Sequence, residues 1–145
     1  MVALKIVLQE WSVWYGPIQA LKSISLGIQS REILGIIGPA NSGKTSLLRS
    51  LNRMNDTNPA FRYAGAVTLD GRDLYRAFDG QEVRRRIGIV FALPLPLPLS
   101  IAENVAYGPR MRGEHSRERL DAIVARSLQA ASLWEEVKTG SRCRR

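Results

Sequence analysis

Nothing in the chain limits its fold more than the nine residues "GPANSGKTS" at 38 to 46. Gly38, Gly43, Lys44 and Thr45 satisfy the spacing G-x-x-x-x-G-K-[ST]. Before them stands "EILGIIG", 32 to 38, a continuous apolar run of the kind a strand buried on both faces requires. After them "SLLRSLNRM" places Leu47, Leu48, Leu51 and Met54 on one face of a short amphipathic helix. Each residue type in the loop has a physical reason. Glycines let the backbone curl so that successive N–H groups face phosphate oxygens, and the helix N-terminus adds its partial positive charge. Lys44 is placed to pair with outer phosphates, and Thr45 offers a hydroxyl to Mg²⁺. Strand, loop and helix in this order predict an α/β domain that binds a nucleotide, without naming a reaction.

The flanking chain predicts the remaining elements. Residues 3 to 13 and 20 to 28 are rich in β-formers with partial alternation and read as two strands joined at Tyr15, Gly16 and Pro17. "AGAVTLDG" reads as a strand ending at an Asp-Gly turn, and "IGIVF", 87 to 91, as another buried strand. Ser100 and Glu103 form a capping-box signature that predicts a helix from Ile101, and a further helix spans "SRERLDAIVARSLQAASL". Tyr15, on the loop after the first strand, has two readings: an aromatic platform for an adenine ring, or ordinary packing. Trp11 and Trp14 read as packing, and His115 as a surface loop residue.

Composition narrows the class. At 145 residues, 45% apolar and 23% charged, the chain can bury one real core. A net charge of +8 calls for an anionic partner, but Lys138, Arg142, Arg144 and Arg145 supply half of that excess in the last eight residues. Arg84, Arg85 and Arg86 form the other basic run and read as a solvated helix face. A nucleic-acid site therefore rests on net charge alone, and no nucleic-acid partner is expected. Gln9 and Glu10 interrupt the N-terminus where a secretory signal would still be apolar, and the lone Cys143 allows no internal disulfide, so a cytosolic setting is expected.

"IGIVFALPLPLPLSIA", 87 to 102, carries no charge, yet it falls short of the roughly eighteen apolar residues of a spanning helix, and Pro94, Pro96 and Pro98 would each remove a helix hydrogen bond. On its own it reads as a stiff polyproline II spacer. Together with "YGPIQALKSISLGI", "GPANSGKTSLLRSLNRMND" and "RRRIGIVFALPLPLPLSIAENVAYGPR", however, it resembles the front half of ABC transporter ATPases, most of all the ATP-binding subunits of bacterial phosphate importers. The likeness runs from about residue 4 to Val137.

That resemblance implies a P-loop NTPase core of the ABC type with an antiparallel β subdomain, occupying residues 1–137, followed by an unrelated basic tail at 138–145. It implies ATP and Mg²⁺ as cofactors, with Tyr15 stacking on adenine, Gly38, Pro39, Ala40, Asn41, Ser42, Gly43, Lys44, Thr45 and Ser46 forming the phosphate cradle, and Thr45 on the metal. Its implied partners are membrane permease subunits and a second ATP-binding subunit, on the cytoplasmic face of the bacterial inner membrane. The Leu-Pro stretch would be the switch loop that reports nucleotide state to the permease. Three departures stand out. Ala92 occupies the place of the loop's Gln, and its methyl group can neither coordinate Mg²⁺ nor hold an attacking water. Ala40 and Asn41 replace the expected Ser-Gly. The signature motif, the Asp-Glu strand and the late switch His have no counterpart, and "TGSRCRR" at 139 to 145 reads like a frameshifted or truncated ending. The expectation is a chain that binds MgATP without turning it over, or else a truncated nucleotide-binding remnant with no transport or enzymatic role.

Overall fold

The computed structural model describes residues 4–93 and 95–137, and these form two compact units that divide between Val90 and Phe91. Pro94 and the tail at 138–145, with Lys138, Cys143 and the terminal arginines, lie outside the described residues.

The first unit is built on a hairpin. Strand β1, Leu4–Tyr15, turns at Gly16 and Pro17 into β2, Ile18–Gln29, and the two pair antiparallel. Strand β3, Phe61–Leu69, pairs with the other edge of β1, and the two-residue β4, Arg72–Asp73, completes a sheet ordered β2-β1-β3-β4. Between β3 and β4 the turn residues Asp70 and Gly71 both have positive φ, the geometry that a two-residue hairpin selects. The register between β1 and β3 slips between Gln9 and Ser12, where Glu10 has φ 48°. Gly65 sits against this bulge with φ +88°, and a Cβ there would lie 2.5 Å from the Gln9 carbonyl oxygen. The bulge resets the alternation, so Leu8, Trp11 and Val13 all reach the core.

Helix α1, Lys44–Leu51, lays Leu47 and Leu51 into this core, whereas Leu48, expected on the same face, is 46% exposed. A 3₁₀ turn follows at Met54–Thr57. Helix α2, Gly80–Arg86, starts at Asp79, whose carboxylate accepts from the Glu82 N–H at 2.7 Å; that bond holds its pKa below the ordinary value. The arginine run lies on α2, with Arg86 paired to Glu82 at 2.9 Å. Trp11 stacks on the exposed Tyr63, both rings meet Tyr75 at a tilt, and burial pushes the Tyr75 phenol well above its usual range.

Two expected strands do not form. Residues 32–38 and 87–91 belong to no sheet among the described residues, and Ile33, Ile37 and Val90 are 99%, 98% and 97% exposed. The apolar runs are there, but a buried parallel strand also needs neighbours on both edges and a layer on each face. Neither run has a partner strand among the described residues.

The second unit is helical. Helix α3, Ile101–Met111, begins at the Ser100–Glu103 capping box, which is formed in both directions. The Ser100 hydroxyl and N–H, both bonded to the Glu103 carboxylate, keep that carboxyl below its ordinary pKa. Helix α4, Arg117–Ala130, is capped by Ser116, and the short α5 is Trp134–Val137. Ala106, Leu120, Val124 and Leu128 form its core. The Leu-Pro stretch enters this unit exposed, with Leu93 at 81% and Leu95 at 92%. Its end is held by the Asn104 side chain, which accepts from the Leu97 N–H and donates to the Leu97, Leu99 and Ser100 carbonyls. No helix among the described residues is long and apolar enough to cross a membrane.

Candidate nucleotide site

The glycine loop closes around its own lysine. Lys44 Nζ donates to the carbonyl oxygens of Gly38 at 2.8 Å and Pro39 at 2.5 Å, and to Ser42 Oγ at 3.2 Å. An ammonium has three donors, so the loop occupies all of them. Asn41 has φ 62° and Gly43 φ 90°. Asn is one of the few residues other than glycine that enters the left-handed region readily, and Asn41 does so here without breaking the loop's curl. Gly43 cannot be replaced so simply, because a Cβ there would stand 2.5 Å from the Ala20 carbonyl oxygen and 2.8 Å from Leu21 Cδ2. The loop is thus pressed against β2 through a glycine.

Gly43 is also the N-cap of α1, with no side-chain cap and no acidic residue in the first turn. An uncapped helix start leaves N–H groups and a positive dipole end for an anion. Thr45 is exposed beside Lys44. Among the described residues there is no group of three or more His, Cys, Asp or Glu able to hold a metal by itself, so Thr45 would contribute one ligand to an ion carried largely by phosphates.

Tyr15 faces the same place. A cleft of about 370 Å³ is lined by Tyr15, Ile18, Gln19 and Ala20 on one side and by Asn41, Ser42, Gly43, Lys44, Thr45 and Ser46 on the other. The hairpin tip carrying Tyr15 is pinned, since the Gly16 N–H donates to the Ala60 carbonyl at 3.0 Å and Arg62 Nη2 donates to the Gly16 carbonyl at 2.8 Å. Of the expected residues, Gly38 and Pro39 act through the carbonyls that bind Lys44, and Ala40 has no wall in the cleft. Ala92 lies in the second unit, exposed. Trp14 lies away from the cleft, beside Arg62 and Tyr63.

The sequence reading missed Gln19, Ala20 and Ile18 as walls, and it missed Asn55. Asn55 is 3% exposed and accepts a hydrogen bond from the Tyr15 hydroxyl at 2.7 Å, across forty positions of chain. Nothing local in "LNRMND" marks it, since a polar residue after a helix is ordinarily solvated.

Residues 21–141 match the family model for ABC transporters. In sequence the chain is 47% identical over 135 residues to the phosphate import ATP-binding protein PstB of Thermotoga maritima, covering 92% of this chain and 54% of that protein. It is 46% identical over 127 residues to the phosphate import ATP-binding protein PstB 3 of Streptococcus pneumoniae, covering 87% of this chain and 51% of that one. The chain therefore spans about half the length of these curated relatives. In structure it is similar to a bacterial Atm1-family ABC exporter with ATP bound, with a TM-score of 0.73 over 97% of this chain and 23% of the exporter; at 22% identity the likeness speaks for the fold.

Proposed function

Because the chain belongs to the ABC transporter family, we propose that it forms the MgATP-binding front part of an importer ATPase, with phosphate as the imported solute. The observation that carries this reading is the meeting of Tyr15 with Asn41–Ser46 in one cleft. In it the Tyr15 ring packs against adenine, the loop and the start of α1 take the phosphates, and Thr45 offers its hydroxyl to Mg²⁺. Lys44 reaches the outer phosphates by releasing Ser42, the longest of its three bonds at 3.2 Å, while the Gly38 and Pro39 carbonyls keep the ammonium in place. The domain boundary proposed is residues 1–137, with 138–145 outside it.

Phosphate as solute, permease subunits and a second ATP-binding subunit as partners, and the cytoplasmic face of the inner membrane as location are inferred from the importer relatives. Hydrolysis is not proposed for the chain by itself. Phosphoryl transfer to water needs the water oriented and the developing charge met from several sides, and Ala92 brings only a methyl group to the switch loop. Ala92, together with stretches 32–38 and 87–91 that form no strand among the described residues, also favours a second reading, a nucleotide-binding or inert remnant with no transport or enzymatic role.

The test is calorimetric titration of the chain with MgATP, alongside a phosphate-release assay. Wild type is expected to bind and Lys44→Ala to bind at least about tenfold more weakly, since a charge-assisted contact to phosphate is lost. Phosphate release stays at background in both. Turnover that depends on Lys44 would contradict the reading.

A further inference from the structure

We propose that Asn55 is a positioning residue for nucleotide binding: it ties the Tyr15 ring to the end of the phosphate loop, so that the two walls of the cleft hold one spacing. The proposal rests on the nucleotide reading of the cleft.

Asn55 sits in the 3₁₀ turn after α1, outside the cleft lining, and is almost fully buried. Its carbonyl oxygen accepts from the Tyr15 hydroxyl at 2.7 Å. Its amide donates to the Ser46 carbonyl at 3.1 Å and to Ser50 Oγ at 3.0 Å. The Ser50 hydroxyl in turn donates to the same Ser46 carbonyl at 2.8 Å. Both amide donors and the carbonyl of Asn55 are therefore engaged, and the Ser46 carbonyl fixes which way the amide faces, because a flipped amide would set oxygen against oxygen. Ser46 is the last residue of the loop motif and lines the cleft, and Tyr15 lines it from the opposite side.

This network differs from ordinary helix-end satisfaction. Ser46 already has Ser50 as a partner, so α1 does not need Asn55 to keep that carbonyl bonded. What Asn55 adds to the packing of α1 on β1 is a side-chain hydrogen bond that fixes the Tyr15 hydroxyl. Tyr15 has a second contact, to Phe61 with ring centroids 6.1 Å apart, but a tilted ring pair leaves rotation of the phenol open, whereas the hydroxyl bond fixes it. A buried, fully satisfied polar group of this kind is costly to disturb and holds geometry well. The chemical consequence is selective: the link governs the base side of the cleft, and the phosphate side keeps its glycine loop, its lysine and its helix start.

The experiment titrates the 145-residue chain with MgATP and with magnesium tripolyphosphate, in wild type, Asn55→Ala, Tyr15→Phe and the double variant. Each single variant should weaken MgATP binding about 3- to 10-fold, the worth of one buried hydrogen bond, and the double should be no more than about twofold weaker than either single. Tripolyphosphate affinity should change less than about twofold throughout, since the triphosphate carries no base. Fully additive losses, or equal losses for tripolyphosphate, would overturn the proposal and leave Asn55 as a helix-end residue. If Asn55→Ala does not fold, Tyr15→Phe carries the test alone, because it keeps the ring and removes only the link. An unchanged ratio of MgATP to tripolyphosphate affinity in Tyr15→Phe would overturn it. Failure of wild type to bind MgATP would bring down the nucleotide reading and this one with it, whereas MgATP binding with additive variants brings down this one only.

Discussion

Residues 4–29 and residues 32–38 are both apolar stretches rich in β-formers, and they meet opposite fates in the first unit. The hairpin β1–β2 finds partners on its own turn and on β3, buries Leu8, Trp11 and Val13, and presents Tyr15 at its tip. "EILGIIG" finds no partner strand among the described residues and leaves Ile33 and Ile37 in solvent. The same contrast separates β3 from "IGIVF". Apolar composition sets how much a segment gains from burial, but pairing decides whether burial is open to it. The candidate cleft lies on the paired side of this division: its hairpin tip is held by the Gly16–Ala60 and Arg62–Gly16 hydrogen bonds, whereas 32–38 joins no sheet among the described residues.

The largest difference lies in the core. Trp11→Ala should cost the first unit about 3–5 kcal/mol, while Ile37→Ala should stay within about 0.5 kcal/mol of wild type, both read by denaturant titration. Comparable losses would mean that 32–38 is buried in solution. Next in size is the backbone. Gly43→Ala forces a side chain into φ +90° and onto the Ala20 carbonyl, at a cost of about 1–3 kcal/mol, and Gly35→Ala, which meets nothing within 4 Å, should be neutral or better in the same titration.

How much of this was open to sequence reading follows the range of each interaction. The hairpin at Tyr15–Pro17, the Asp70–Gly71 turn, the Ser100–Glu103 box and the span of α4 depend on residues a few positions apart, and all were legible. The glycine loop was legible for the same reason. "EILGIIG" and "IGIVF" were misread because an apolar run reports only a demand for burial, and the partners that would meet it are not in the run. The bulge at Glu10, which sends Trp11 inward, and the bond from Tyr15 to Asn55 depend on contacts made across β3 or across forty residues, and no local pattern encodes them. Leu48 was placed on the buried face by periodicity, but α1 buries a narrower stripe than its apolar residues offer.

The smallest effects lie in the helical unit. Ser100→Ala removes the cap of α3 and should cost about 1 kcal/mol. Glu103 there, Asp79 at α2 and Glu114 beside Ser116 all have pKa values lowered by hydrogen bonds to their charged forms. A carboxyl that is more acidic folded than unfolded binds fewer protons in the native state. Its contribution is complete above the ordinary value, 4.5 for Glu103, and is lost as pH falls through the lowered one. Stability should accordingly be flat from neutrality to about pH 5 and decline below it, less steeply in Ser100→Ala. A decline starting near neutrality would assign the loss to other groups.

If the hairpin tip and the glycine loop are two walls of one nucleotide site, saturating MgATP should protect amides on both, and hydrogen exchange with and without it reads this. Exchange should slow at residues 15–20 and at 41–46 together, with 32–37 and 87–91 exchanging as fast as before. Protection confined to the loop, with Tyr15 and its neighbours unchanged, would contradict it.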